Sequence, residues 1–136
     1  MTCTAHTTKH KISSDKVAQS SSPLSQGIRF KDFIFLSGQL GRNPTTGKLE
    51  EDFASQVRRI LSNLRGLLET AGSSMDMVLK TTIFVTDIRK TRELNAIYRE
   101  FFNDPLPARS CVEVSALANG AEAEIELIAA YCNTKE

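Results

Sequence analysis

The sequence has no tryptophan, only three cysteines and only two histidines, and both histidines, His6 and His10, lie near its start. We therefore expect a folded body without histidine, which argues against a Ser-His triad, a Cys-His pair or a histidine-ligated zinc site. The three cysteines fit neither a disulfide framework nor a C-x-x-C metal site, and they favour a reducing compartment. Any catalysis is left to carboxylates, arginine, hydroxyls, a thiol, backbone dipoles or ordered water.

Strong net charge and long apolar runs are also missing. The chain carries 17 Lys and Arg against 16 Asp and Glu, so it lacks the excess of positive charge that is typical of nucleic-acid-binding proteins. No apolar run approaches a membrane span, and the polar start lacks the apolar core of a secretory signal. We expect a cytoplasmic protein, and organelle targeting by the N-terminal tail stays an alternative. We also expect a disordered tail over residues 1–10 and a single domain over residues 11–136.

The spacing of apolar residues predicts the element order β-β-β-α-β-α-β-β. The predicted strands cover residues 9–13, 26–30, 33–38, 78–86, 109–114 and 124–130, and the predicted helices lie between Phe53 and Ala71 and between Leu94 and Phe102. Asp52 is a plausible N-cap of the first helix, and Gly72 suits the position after its end. The strand over 78–86 is apolar nearly throughout, which predicts burial on both faces. Two helices that follow strands indicate a mixed sheet with both helices on one face.

The last two predicted strands alternate with a period of two. In the first, one face carries Arg109, Cys111 and Glu113; in the second, one face carries Glu124, Glu126 and Ile128. Pairing within one sheet could set a guanidinium, a thiol and carboxylates together on the face that the helices leave uncovered. Because exposed apolar sheet surface usually has a partner, we expect self-association through that face. Such an interface would bury Arg109 and Glu124 near a subunit boundary.

A set of motifs runs in order along residues 11–131. They are Ser37-Gly38-Gln39, Asn43-Pro-Thr-Thr-Gly47, Val78-Leu-Lys-Thr-Thr-Ile-Phe-Val85, Asn95-Ala-Ile-Tyr98-Arg-Glu-Phe-Phe102, Pro107-Ala-Arg-Ser-Cys-Val-Glu-Val114 and Glu124-Ile-Glu-Leu-Ile-Ala129. Together they resemble the signature of the Rid family, the reactive intermediate deaminases, also called the YjgF family. The resemblance implies an α+β, chorismate mutase-like fold that assembles as a homotrimer, with the sheets forming an inner β-barrel and the helices outside.

The resemblance also implies an activity and a set of site residues. Rid-type deaminases hydrolyse enamine or imine intermediates released by pyridoxal phosphate enzymes, such as 2-aminoacrylate, to 2-keto acids and ammonia, with no metal or bound cofactor. The implied catalytic residues are Arg109, which holds the substrate carboxylate, Glu124, which positions or activates water, and Cys111. The implied substrate-binding residues are Arg109, Ser37, Gly38, Asn95 and Leu24, in clefts between subunits.

One position departs from the family pattern. Where the family carries Gly-Pro-Tyr-Ser-Gln, this chain has Ser22-Pro-Leu-Ser-Gln26, so Leu24 replaces a tyrosine. Leucine cannot donate a hydrogen bond or orient water, which leaves open a weakened or retuned deaminase. Two other functions also stay open: a trimer that binds a small carboxylate or a protein client without turnover, and an endoribonuclease or translation inhibitor. The neutral charge and the lack of an aromatic stacking platform argue against nucleic-acid partners.

Overall fold

The computed structural model describes residues 8–131, and its elements follow the predicted order. The strands are β1 (His10–Ile12), β2 (Gly27–Phe30), β3 (Phe33–Leu40), β4 (Val78–Val85), β5 (Ala108–Glu113) and β6 (Ala123–Ala130). The helices are α1 (Phe53–Thr70) and α2 (Thr91–Phe101). The prediction of disorder over residues 1–10 falls mostly on residues 1–7, which lie outside the described residues. The predicted α+β architecture is confirmed.

All six strands form one sheet in the order β1-β2-β3-β6-β4-β5. Every pairing is antiparallel except that of β4 with β5, which is parallel and joined through α2. The last strand of the chain, β6, therefore lies in the middle of the sheet, and β5 lies at its edge. This placement puts Arg109 on an edge strand and Glu124 on a central one.

Helix α1 begins and ends where the sequence predicts. The Asp52 side chain accepts a hydrogen bond of 2.8 Å from the backbone N–H of Ser55, which satisfies one of the free donors at the helix start. Gly72 follows the C-terminal end with φ near +81°, a conformation that glycine adopts without strain. The predicted stripe of apolar side chains is buried against the sheet. Both predicted caps are confirmed.

Both helices pack on the same face of the sheet. Alternate strand residues on that face are fully or almost fully buried: Ile34, Leu36, Thr81, Ile83, Val85, Ile125 and Leu127. Leu94, Ile97 and Tyr98 of α2 close the same core. Within residues 8–131, neither helix combines the length and the apolar character that a membrane crossing requires. No helix of the described part of the chain lies over the other face of the sheet.

That open face carries large apolar side chains. Phe35 on β3 is 44% exposed and Val112 on β5 is 46% exposed. Phe35 is paired in register with Ile28 and Ile128, which are half-buried. The prediction that β4 is buried on both faces is wrong for the chain alone: Lys80, Thr82 and Phe84 are only half-buried on this side, because no part of residues 8–131 covers it.

The register corrects the predicted arrangement of the candidate site. Arg109 is paired with Thr81 of β4, and Thr81 is paired with Leu127 of β6, so all three point to the helix side. Cys111 is likewise paired with Ile83 and packs against the core. Glu124 is paired with Phe84 and points to the open face. The guanidinium and the thiol therefore lie on one face and the Glu124 carboxylate on the other.

A second correction concerns histidine. His10 is the first residue of β1, so one histidine does belong to the sheet, contrary to the prediction that the folded body contains none. It is exposed and borders a shallow surface groove with Arg29 and Tyr131, apart from the residues of the candidate site. His6 lies outside the described residues, and catalysis without histidine stays a prediction.

Candidate functional site

The Arg109 side chain is held at the sheet edge by two residues of α2. One terminal nitrogen of its guanidinium donates a hydrogen bond of 2.7 Å to the Asn95 side-chain oxygen. Its central carbon lies 4.9 Å from the centre of the Tyr98 ring, which is a cation–π distance. None of the ion pairs within residues 8–131 involves Arg109. The guanidinium is therefore oriented, and its charge has no carboxylate partner among these residues.

Tyr98 connects this cation to the core. Its hydroxyl shares a hydrogen bond of 2.8 Å with the fully buried Thr81. Burial raises the pKa of the Tyr98 hydroxyl, although the Thr81 hydrogen bond and the charge of Arg109 oppose that rise. The ring thus stays neutral beneath the guanidinium. Tyr98 therefore belongs both to the core and to the floor of a cationic site.

The pocket around this cation has a volume of about 290 Å³, and we call it the Arg109 pocket. It is lined by Asn95, Tyr98, Arg99, Leu106, Pro107 and Arg109. Leu106 is 46% exposed and Pro107 precedes β5, so the outer wall is apolar. An oriented guanidinium with unused N–H donors suits a planar carboxylate, which it can bind through two parallel hydrogen bonds.

Glu124 lies in a separate groove on the opposite face. The groove has a volume of about 460 Å³, and we call it the Glu124 groove. Its lining includes Leu24, Ser37, Gly38, Arg42, Glu124 and Glu126. Burial raises the pKa of the Glu124 carboxyl, and the neighbouring Glu126 carboxylate raises it further. A carboxylate with a raised pKa is a better proton acceptor near neutral pH.

Gly38 leaves the space that this carboxylate occupies. A Cβ added at position 38 would lie 2.2 Å from a Glu124 carboxylate oxygen, so a larger residue would displace the carboxylate. Gly38 also lies within the irregular part of β3, where the pairing with β6 shifts between Leu36 and Gln39. Such an irregularity re-aims side chains next to it. The absence of a side chain at position 38 thus makes room for the Glu124 carboxylate.

Leu24 reaches the groove from an irregular segment, residues 14–26, which we call the strap. The ends of the strap are tied together, because Ser14 N–H donates to the Gln26 amide oxygen at 2.7 Å and the Gln26 amide nitrogen donates to the Ser14 carbonyl at 3.2 Å. The Ser37 hydroxyl donates to the Ser25 carbonyl at 2.6 Å. The strap is therefore fixed to β3, and Leu24, 51% exposed, forms part of the groove wall.

The predicted site residues thus form two groups within one chain. Arg109 and Asn95 form part of the Arg109 pocket, and Cys111 follows on the same face of β5; Leu24, Ser37, Gly38 and Glu124 share the Glu124 groove. The roles predicted for these residues stay predictions. Within residues 8–131, no three His, Cys, Asp or Glu side chains are grouped so that they could hold a metal ion.

Sequence reasoning missed three residues of these sites. Tyr98 was predicted only as part of the second helix, although its i, i+3 spacing from Asn95 indicates a shared helix face. Gln26 was taken only as the start of a strand, and no local signal marks its buried bonds to Ser14. Arg42 lines the Glu124 groove, and its position in a turn region gave no reason to single it out.

The sequence model of the family described as Endoribonuclease L-PSP matches residues 15–131. The chain belongs to this family, the Rid (YjgF/RutC) family. This Rid chain is 47% identical over 109 residues to a RutC family protein of Aquifex aeolicus, which covers 79% of the chain and 87% of the relative. It is 39% identical over 121 residues to the Escherichia coli K12 protein named 2-iminobutanoate/2-iminopropanoate deaminase, which covers 87% and 94%.

Solved Rid structures agree with the fold. The crystal structure of E. coli TdcF with bound serine matches with a TM-score of 0.86 at 30% identity, over 90% of this chain and 99% of that one. At this level of identity the likeness extends beyond the architecture to the family. The Rid resemblance stated from the motifs is confirmed.

Proposed function

We propose that this protein is a hydrolytic deaminase of reactive imines and enamines, such as 2-aminoacrylate, that yields 2-keto acids and ammonia. The observation that carries the proposal is the oriented guanidinium of Arg109, which has no carboxylate partner among residues 8–131, in a chain that also presents a carboxyl of raised pKa, Glu124. The relative named 2-iminobutanoate/2-iminopropanoate deaminase, at 39% identity, supports this choice of chemistry. The serine bound in the TdcF structure supports a small amino-acid-like ligand.

We further propose that the complete site forms between copies of a homotrimer. Arg109 and Glu124 point to opposite faces of the sheet, so one chain cannot bring them to the same small substrate. Exposed Phe35 and Val112 on the open face give a second copy an apolar surface to cover. In such an assembly the Arg109 pocket of one subunit faces the Glu124 groove of its neighbour.

In the proposed reaction, Arg109 holds the substrate carboxylate and leaves the imine carbon facing the Glu124 groove. The Glu124 carboxylate accepts a proton from water while the water oxygen bonds to the imine carbon, and it returns that proton to the nitrogen, which gives the carbinolamine. In the second step Glu124 moves the hydroxyl proton to the nitrogen as the C=O bond forms, the C–N bond breaks and ammonia leaves. The raised pKa of Glu124 supports both the acceptance and the return of the proton.

The test is turnover of imines generated in situ by an amino acid oxidase or a serine dehydratase. We expect faster release of keto acid and ammonia with the protein than without it. Saturable binding of a keto acid without any turnover would instead favour the alternative of a non-catalytic binding trimer. The nuclease suggested by the family description finds no support in a chain of formal charge +1.

Subunit mixing tests the shared site directly. Arg109→Ala and Glu124→Ala should each be inactive alone. Unfolded together in equal amounts and refolded, they should regain about a quarter of wild-type activity, because a site between two copies receives both intact residues in about one of four random combinations. A mixture that stays as inactive as its components would place both residues in one subunit's site and contradict the proposal.

A further inference from the structure

The Glu124 groove contains a cation of its own, Arg42. Its Nε donates a hydrogen bond of 3.0 Å to the Gly47 carbonyl, and one terminal nitrogen donates to the Gln19 carbonyl at 3.2 Å. A guanidinium has five N–H donors, so three remain unused after these two bonds. None of the ion pairs within residues 8–131 involves Arg42.

The orientation of Arg42 is fixed from both ends. The side-chain amide of Asn63, a buried residue of α1, donates to the Arg42 carbonyl at 3.0 Å. Arg42 also forms an isolated backbone bridge with Leu49, which anchors the chain on either side of the Asn43-Pro-Thr-Thr-Gly47 turn. The two carbonyl contacts then hold the guanidinium plane. A donor group ordered in advance loses little conformational entropy when a ligand binds.

Electrostatics make an anion the fitting partner for Arg42. The groove also contains Glu124 and Glu126, whose carboxylates repel an anion. An acidic group of a ligand is therefore attracted only towards the Arg42 end of the groove. Within residues 8–131, Arg42 forms no ion pair with Glu124 or Glu126, so its charge is available to a ligand. The apolar side of the groove, including Leu24, suits the methylene chain that would join a reacting imine carbon to a distant charged group.

We propose that Arg42 binds the distal acidic group of the substrate, so that the site prefers imines of 2-keto acids with a second carboxylate at the end of the side chain. This inference rests on the proposed function for the reaction itself. The binding role of Arg42 stands on the groove alone. Leu24 contacts the methylene groups of the substrate side chain, and Arg42 binds the acidic group at its end.

Binding of two stable keto acids by isothermal titration calorimetry tests the inference without requiring turnover. The probes are 2-oxoglutarate, which has a distal carboxylate, and 2-oxohexanoate, which has an apolar chain. We expect wild-type protein to bind 2-oxoglutarate about tenfold more tightly or better, since a hydrogen bond to a charged group is typically worth that ratio. In Arg42→Gln that preference should disappear through weaker binding of 2-oxoglutarate alone.

Two further variants exclude a merely structural effect. Arg42→Lys keeps the positive charge but not the planar pair of N–H donors, so it should lose only part of the preference for 2-oxoglutarate. Arg65→Gln, an exposed arginine of α1 outside the groove, should leave both affinities unchanged. Equal affinities in the wild type would overturn the inference. So would an equal loss for both probes in Arg42→Gln, which would mean that Arg42 only fixes the strap through Gln19.

Turnover of the matching imines separates the two proposals. Imines made by oxidation of glutamate and of norleucine correspond to the two probes. If both are hydrolysed equally and Arg42→Gln changes neither rate, the inference fails and the deaminase stands. If neither is hydrolysed while the Arg42-dependent binding preference holds, the deaminase fails and Arg42 remains a ligand contact.

Discussion

At the scale of single residues, Arg109 shows why arginine and lysine are not equivalent. The guanidinium simultaneously bonds Asn95 and lies over the Tyr98 ring, which leaves its fork free for a carboxylate. An ammonium could supply the charge but neither the flat contact nor two parallel hydrogen bonds.

Arg109→Lys should therefore lose most deaminase activity and keep its fold. We expect about thirty- to a thousandfold lower kcat/KM, which corresponds to about 2–4 kcal/mol of transition-state binding. The measurement is imine hydrolysis together with a thermal melt. Arg65→Lys is the matched control, because Arg65 also lies over an aromatic ring, that of Phe101, but does not line the pocket. Near-wild-type turnover by Arg109→Lys would exclude Arg109 as the anchor.

Glu124 links stability and activity through its pKa. The folded chain holds the Glu124 proton at pH values where the unfolded chain has already released it, since burial raises the folded pKa above 4.5. The favourable contribution of the neutral carboxyl is thus fully present below pH 4.5 and is lost as the pH rises through the folded pKa.

Glu124→Gln cannot ionise, so it should avoid that loss. We expect its thermal midpoint to rise relative to wild type as the pH goes from 4 to 7, while its deaminase activity falls by at least about a hundredfold, typical of losing a general base. Midpoints across this pH range provide the measurement. Glu51→Gln, exposed and outside the groove, should follow the wild-type curve. A stability difference that does not change with pH would contradict the role of burial at Glu124.

At the scale of elements, the sequence predicted what local patterns determine. The i, i+4, i+7 stripe specified α1, and Asp52 and Gly72 specified its ends, because capping depends on residues next to each other. The alternation of residues along β5 predicted which side chains share a face of the sheet. It did not predict whether that face is the open one or the one covered by the helices. Polar residues were assigned to the open face, yet β5 is the edge strand, where Arg109 can extend past the helices on the covered side.

The candidate site could be predicted only as a set of residues. Nothing in the sequence placed Arg109 and Glu124 on opposite faces, since that depends on the pairing of both β5 and β6 with β4. Arg42 was missed for a similar reason: its approach to the Glu124 groove depends on the strap, and the strap's closure by Ser14 and Gln26 joins residues with no local pattern.

The packing of the end of β3 on α1 gives a prediction at this scale. A Cβ added to Gly41 would lie 2.6 Å from both the Cα and the carbonyl oxygen of Gln56, which are backbone atoms that cannot move aside. Gly41→Ala should lower the free energy of unfolding by about 1–3 kcal/mol in urea denaturation. At Gly66, an added Cβ would contact only the side chain of Lys16. Gly66→Ala should stay within about 1 kcal/mol of wild type, and equal effects at both glycines would refute the backbone contact as the cause.

At the scale of the whole molecule, we expect the open face to decide the assembly. Phe35 and Val112 are too exposed for a sheet that faces only water, and we expect light scattering to give the mass of a homotrimer.

Phe35→Lys should convert that trimer to monomer and remove activity by at least about a hundredfold, although Arg109 and Glu124 are untouched, because three buried ammonium groups would oppose association. Ile88→Lys places the same charge at an exposed apolar position on the turn before α2 and should stay trimeric and active. A monomeric Phe35→Lys with full activity would show that one chain contains the whole site.

The central place of β6 has a consequence for how the protein is made. Because β6 lies between β3 and β4, the first three strands have no direct partner among β4 and β5 until residues 123–130 are available. During synthesis β6 is made after β4 and β5. The two incomplete parts of the sheet, β1–β3 and β4 with β5, therefore keep unpaired edges until β6 joins them. A premature stop before Ala123 would remove the middle of the sheet rather than its margin, and the product would be a substrate for cellular quality control.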